Sequence, residues 1–387
     1  MYVGALLGPG LLVLPGLTTA IAGPASVLAW AGLLVLSSLL GVVFAALGIR
    51  APSATGVRGY VEAGLGRTAG VVTSWCFLAG IIGGAPIVCV IGGTYVAKLT
   101  GAGSGTASVV AALMLVAVLA ITARGSRTSS SVQLGLVGML LAIVVVAVVG
   151  AVPHVRAGNW TPFAPHGWLA VGSAAVPLML SFVGWEAAAP LAARLVDPRR
   201  QLPKIVALTL LVTTVVYLSL AVVTIGAGAG TAAPVADLLV MAIGPAGAVV
   251  AAVAAVALTV GTLNAYVSGA ARPRRWLNVA ILTSGAVLIG LLGTGTLTLD
   301  ALVTVPSTMF LVVYLGCTAA AFRILTGPTR IAAAVSFLVV AVVLAFTGTT
   351  AVLALVVCTI AWLVAQRVRP NGVKTTSMGE AATSSCR

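Results

Sequence analysis

The sequence predicts an all-α polytopic membrane protein with about twelve transmembrane helices, and three observations carry that prediction. Of 387 residues, 60% are hydrophobic and only 7% are Asp, Glu, Lys or Arg, against about 25% charged in an ordinary soluble domain. Long apolar segments recur along nearly the whole length, and about 20 helical residues suffice to cross a hydrocarbon core of roughly 30 Å. The basic residues fall in small clusters between those segments, in the alternation that membrane topology imposes.

In chain order the spans fall near residues 2–21, 25–48, 68–97, 107–122, 129–151, 169–193, 204–226, 241–268, 276–294, 299–322, 331–347 and 349–366. Only Gly348 and Thr349 separate the last two, so eleven is the nearest alternative count. The first segment lacks a basic region followed by a small-residue cleavage site, and it reads as a retained span rather than a removed signal peptide. The expected organisation is one transmembrane domain over 1–366, followed by a polar cytoplasmic tail over 367–387.

Charge sets the orientation. With both termini cytoplasmic, the inner loops hold Arg50, Arg58 and Arg67; Arg124 and Arg127; Arg194, Arg199, Arg200 and Lys204; Arg272, Arg274 and Arg275; and Arg323 and Arg330. The tail adds Arg367, Arg369, Lys374 and Arg387, which leaves only Lys98 and Arg156 outside. This bias supports an even span count in the cell inner (plasma) membrane, with the lipid bilayer as the immediate surroundings. It also explains the formal charge of +14 without nucleic acid, whose binding needs an assembled basic surface.

The stretch from Arg50 to Arg67 is too polar to span and suits either a short interfacial helix or a loop. The outer stretch 151–168 carries His154, His166, Trp160 and Trp168; aromatic anchoring at the interface accounts for the tryptophans, and two histidines without a carboxylate make a poor metal site. The five cysteines form no CxxC pair and read as small buried hydrophobes. No metal site and no cofactor are expected.

Two spans look interrupted. The first crowds Gly4, Gly8, Pro9, Gly10, Pro15 and Gly16 into thirteen residues; proline removes an amide donor and glycine lowers the cost of leaving the helix. A plain kink and a true break both fit these residues. In the sixth, Pro177, Gly184 and Pro190 bracket Glu186, which stands well inside a span. An ionisable side chain there faces a cavity, finds a partner or stays protonated, so a structural hydrogen bond and a proton-carrying role both remain open. The first span opens spans 1 to 5 and the sixth opens spans 6 to 10. Because five is odd, the two halves, 1–151 and 169–323, must run in opposite senses, with 331–366 supplying two additional helices. That 5+5 inverted repeat, with broken helices 1 and 6, is the plan of a secondary transporter. A break exposes amides and carbonyls inside a protein-lined cavity, and a small zwitterion such as an amino acid satisfies both kinds of group. Its carboxylate would bind near Gly8, Pro9, Gly10 and Leu11, where Pro9 can accept but not donate. Phe182, Gly184 and Trp185 flank the second break and would line an apolar pocket.

These motifs resemble those of the amino acid-polyamine-organocation (APC) superfamily. Gly8, Pro9, Gly10 and Leu11 stand at its glycine-rich turn; Phe182, Gly184, Trp185 and Glu186, then Pro198, Arg199 and Pro203, match its sixth-span pattern. The resemblance spans nearly the whole chain and implies a LeuT-like core working by alternating access. Gly184-Trp185-Glu186 and the compact length look most like bacterial members that export methionine and branched-chain amino acids. That likeness implies proton-coupled export of neutral, hydrophobic amino acids; an importer or exchanger of the same fold is the alternative, with transport of other small amines behind it. Two positions depart from the pattern: Arg194 stands where many members are acidic, and Asp197 where Asn is common. Arg194, Asp197 and Arg199 are the candidate cytoplasmic gate, and ordinary surface solvation explains them equally well. The first span begins at Met1, seven residues before Gly8, so either its leading half-helix is short or translation starts further upstream.

Glu186 is the expected proton-coupling residue. The fifth span carries no lysine to mimic a sodium ion, and Thr259, Thr262 and Asn264 would be the oxygens of a sodium site, although such groups usually bond to neighbouring helices. A channel would need a polar path or a selectivity ring, and an enzyme a clustered catalytic constellation; neither pattern occurs. The glycines at 83, 84, 92 and 93 allow close helix contacts compatible with a monomer or a homodimer.

Overall fold

The computed structural model describes residues 8–50, 56–124, 130–187, 195–269 and 275–367. Ten segments among these are long and apolar enough to cross a membrane. Fourteen α-helices occur among the described residues: α1 Leu14–Ala22, α2 Ser26–Arg50, α3 Val57–Leu65, α4 Arg67–Thr100, α5 Ser104–Ala123, α6 Ser130–Ala151, α7 Leu169–Leu178, α8 Pro198–Gly226, α9 Pro234–Ile243, α10 Ala246–Gly269, α11 Arg275–Gly293, α12 Leu299–Ile324, α13 Pro328–Ala345 and α14 Thr350–Arg367. With most backbone groups bonded within their own helix, these elements suit a solvent that offers no hydrogen bonds.

Although 14–50 forms one continuous apolar stretch, it is folded back on itself. A turn at Gly23–Ala25 separates α1 from α2, and the Trp30 indole N–H donates to Thr18 Oγ at 3.2 Å across it. Residues so far apart along one straight helix could not touch, so α1 and α2 form a hairpin.

Helix α4 runs through the middle of the bundle and packs against α3, α5, α10, α11, α12 and α14. Of its central neighbours, α12 is 67% buried along its apolar window, whereas α14 is only 11% buried; α14 therefore turns Val352, Leu355 and Ile360 outward toward lipid. Helix α7 lies against both α1 and α2, which brings the two glycine-rich and proline-rich segments together.

Two expectations need correction. The eighth span was expected at 241–268, but the chain turns at Gly244 and Pro245, so that α9 and α10 are separate helices. Apolar residues continue across the turn, and hydropathy alone does not show it. The seventh span, α8, begins at Pro198 rather than 204, because the Asp197 side chain accepts the amide of Arg200 and so caps a polar first turn. In the polar stretch after Arg50, of the helix and the loop that the sequence allowed, the structure has the helix, α3, whose Tyr60 and Val61 are fully buried.

Candidate functional site

The first interrupted segment is built from the motif Gly8-Pro9-Gly10-Leu11. Pro9–Leu12 forms a short 3-10 turn, with the Leu11 amide donating to the Gly8 carbonyl at 3.2 Å and the Val13 amide to the Gly10 carbonyl at 3.1 Å. α1 then starts at Leu14, with Pro15 in its first turn, where no intrahelical amide is needed. Tyr95 of α4 anchors the turn by donating its hydroxyl to the Leu12 carbonyl. Pro9, Gly10 and Leu11 are buried. Gly8 is half-buried, and a methyl group placed on it would meet no atom of the described residues within 4 Å.

The second interrupted segment begins where α7 ends. Met179–Phe182 tightens into a 3-10 turn, Val183 is extended at φ −71° and ψ 131°, and a further 3-10 turn covers Trp185–Ala187. Between them Gly184 adopts φ 144°, a conformation that a side chain would strain. The polar groups released here are taken up by side chains. The Tyr217 hydroxyl of α8 donates to the Ser181 carbonyl at 2.9 Å. The Gly184 amide donates to Glu186 Oε2 at 2.9 Å, and the Tyr314 hydroxyl of α12 lies 2.8 Å from the same oxygen and 3.3 Å from the Phe182 carbonyl. Having a single proton, Tyr314 donates to one of these acceptors at a time. The ion pairs among the described residues are Arg58–Glu62, Lys98–Asp237 and Arg200–Asp197, so within that set Glu186 is held by amide and hydroxyl donors rather than by a cation.

Phe182 and Trp185 are both closed off. Phe182 packs edge-on to Tyr217, with ring centroids 5.3 Å apart, and tilted against Trp30 at 6.4 Å. Trp185 is fully buried and donates its indole N–H to Ser37 Oγ of α2 at 2.8 Å.

The two segments meet at Gly10 and Ser181. A methyl group on Gly10 would stand 3.0 Å from Ser181 Oγ. That hydroxyl is buried, with the residue only 3% exposed, and has no hydrogen-bond partner among the described residues. A buried unsatisfied polar group costs about 1–3 kcal/mol, so its presence calls for an explanation. Sequence reasoning did not single out Ser181, Tyr95, Tyr217 or Tyr314. The available signal was the tyrosines, each a polar tip inside an otherwise apolar span.

The remaining candidates lie elsewhere. Asp197 caps α8 and pairs with Arg200 at 3.7 Å, Arg199 is exposed, and Arg194 lies outside the described residues. Thr259 donates to the Val88 carbonyl at 3.2 Å, while Thr122 donates to Asn264 Oδ1 at 3.2 Å; Thr262 is half-buried. These groups link helices, as hydroxyls in membrane helices commonly do. His166 Nδ1 sits 3.0 Å from the Ile21 carbonyl. Among the described residues, no three His, Cys, Asp or Glu side chains are grouped to hold a metal. Cys76 and Cys358 bring their sulfurs to 3.5 Å.

Within the first turn of α1, Gly16 packs directly on the loop 227–233: a methyl group there would stand 1.9 Å from the Thr231 carbonyl oxygen. Lys98 at the end of α4 pairs with Asp237 of α9, and both bond to Thr231. A cavity of about 450 Å³ lies beside this cluster, lined by Val90, Thr94, Lys98, Ser104, Thr231 and Leu292 among others.

Comparison with known proteins agrees with this architecture. The structure resembles that of a manganese transporter from Eremococcus coleocola, with a TM-score of 0.57 at 12% identity over 94% of this chain and 92% of that one; at that identity the likeness concerns the fold, a LeuT-like one. In sequence, the chain is 30% identical to the amino acid permease YecA of Bacillus subtilis (strain 168) over 352 residues, 84% of this chain and 83% of the relative. It is 28% identical to the L-methionine/branched-chain amino acid exporter YjeH of Escherichia coli (strain K12), over 96% of each. The model of the amino acid permease family matches residues 1–275. This multi-pass membrane protein therefore belongs to the amino acid permease family, within the APC superfamily of secondary transporters.

Proposed function

We propose that the protein moves neutral, hydrophobic amino acids across the membrane by alternating access, in the direction of proton-coupled export. In this reading the Pro9–Leu12 turn with α1 is the first broken span and 169–187 belongs to the sixth, which gives twelve spans, inverted halves and cytoplasmic termini. The observation that carries it is the meeting of the two interrupted segments at Gly10 and Ser181. The amino acid's carboxylate sits by Gly8, Gly10 and Leu11, and its side chain lies toward Phe182, Gly184 and Trp185. Glu186 carries the proton, and its Oε2 accepts hydrogen bonds from the Tyr314 hydroxyl and the Gly184 amide. Arg194, Asp197 and Arg199 lie toward the cytoplasmic mouth. Export is supported by the relative named as a methionine and branched-chain exporter, which is matched over 96% of both chains. Import or exchange is the second reading, favoured by the 30% identical relative whose name, amino acid permease, specifies no direction.

Counterflow in liposomes tests the substrate class. Vesicles preloaded with unlabelled solute should accumulate labelled methionine and leucine, and should fail to do so with lysine, glutamate or putrescine. Accumulation of lysine or putrescine without the neutral pair would overturn the substrate assignment.

A further inference from the structure

Hydroxyls within the apolar helices of this protein usually return their proton to a carbonyl one turn back. Thr18 bonds the Leu14 carbonyl, Thr73 that of Ala69 and Thr318 that of Tyr314, at 2.9, 2.9 and 2.7 Å. A few buried hydroxyls do not, among them Thr209, Thr213, Ser336 and Ser181. Ser181 differs from the other three in place: it lies in the 3-10 turn at the end of α7, and its hydroxyl is directed at the Pro9–Leu12 turn, where it meets no acceptor among the described residues. Its own carbonyl is fixed by Tyr217, so the peptide that carries the hydroxyl is held in place from the opposite side. Opposite it, Gly10 has no side chain, and any added there would crowd Oγ at 3.0 Å.

We propose that the Ser181 hydroxyl, facing Gly10 across the junction of the two interrupted segments, is the side-chain donor to the carboxylate of the transported amino acid. This rests on the amino-acid site proposed above. A hydroxyl held on a fixed peptide and facing a glycine is a pre-oriented donor, and a carboxylate is the strong acceptor that such a donor fits. The ammonium group needs acceptors instead, and backbone carbonyls serve it. Ser181 thus sets specificity for the carboxylate end of the solute and is indifferent to its side chain.

The experiment measures binding to the purified full-length protein by ligand-induced thermal shift and by titration, for wild type and Ser181→Ala. The ligands are leucine and leucinol, which carries a hydroxymethyl group in place of the carboxylate. The inference expects Ser181→Ala to weaken leucine binding about tenfold, to leave the weaker leucinol binding unchanged, and to leave the ligand-free unfolding temperature equal or higher, since an unsatisfied buried hydroxyl has been removed. Ser181→Thr, which keeps the hydroxyl, should recover most of the leucine affinity. Equal leucine affinities in wild type and Ser181→Ala, or an equal loss for leucine and leucinol, would overturn the role of Ser181. If wild type binds neither leucine nor methionine, the substrate reading on which the inference rests is overturned instead.

Discussion

Two sets of contacts hold the start of α1 in different ways. One is the junction of the interrupted segments, fastened by hydrogen bonds from Tyr95, Tyr217, Tyr314 and Trp185 to backbone and side-chain acceptors. The other is the loop 227–233, which covers α1 through the backbone contact at Gly16 and through a partly exposed cluster of Lys98, Thr231 and Asp237. Breaking a buried bond leaves a group desolvated and unsatisfied, at about 1–3 kcal/mol. An exposed ion pair contributes about 0–1 kcal/mol because water and salt replace it readily. The junction is therefore built to keep one geometry, while the loop contact relies on steric fit and gains little from its charges.

Two substitutions sharpen that contrast. Gly16→Ala carries the larger expected effect: its methyl group would overlap the Thr231 carbonyl oxygen, and overpacking of this kind costs about 1–3 kcal/mol. Thermal unfolding in detergent should show a clear drop, together with easier labelling of a cysteine placed at Ala236, whose native side chain is buried on α9. An unchanged melting temperature and unchanged labelling would mean that the loop is not packed on α1 as described. Lys98→Met should do much less. It removes the pair with Asp237, whose side chains are 33% and 23% exposed, and should shift stability by no more than about 1 kcal/mol, with a smaller change still in high salt. A loss as large as that of Gly16→Ala would break the contrast and make the ion pair the main fastening of the loop.

The same contrast explains what could be read from the sequence. Span positions were legible because length and apolarity decide them, and the 3-10 turns at Pro9–Leu12 and on either side of Gly184 fall where Pro9, Gly10 and Gly184 act locally on their own backbone, whereas Pro177 stays inside α7. The polar contacts at the junction were not legible: Tyr314 and Glu186 are 128 positions apart, and Tyr95 and Leu12 are 83 apart, so no local pattern joins them. Ser181 stood beside the motif residues yet was passed over, since what distinguishes it is that it faces Gly10, a residue 171 positions away, and no local pattern shows that. Helix α9 escaped notice for the opposite reason, because its apolar residues run into those of α10 without a change in composition. The candidate gate residue Asp197 proved to be a helix cap, a local role that its position before Pro198 already allowed.

The central claim is that Glu186, bound by Tyr314 and the Gly184 amide within the second interruption, couples amino-acid movement to protons. The direct measurement is release of labelled methionine from proteoliposomes, with and without an imposed proton gradient, for wild type and for folded Glu186→Gln. The account predicts gradient-stimulated release in wild type, and in Glu186→Gln a release that no longer responds to the gradient. Stimulation that survives the substitution would contradict it.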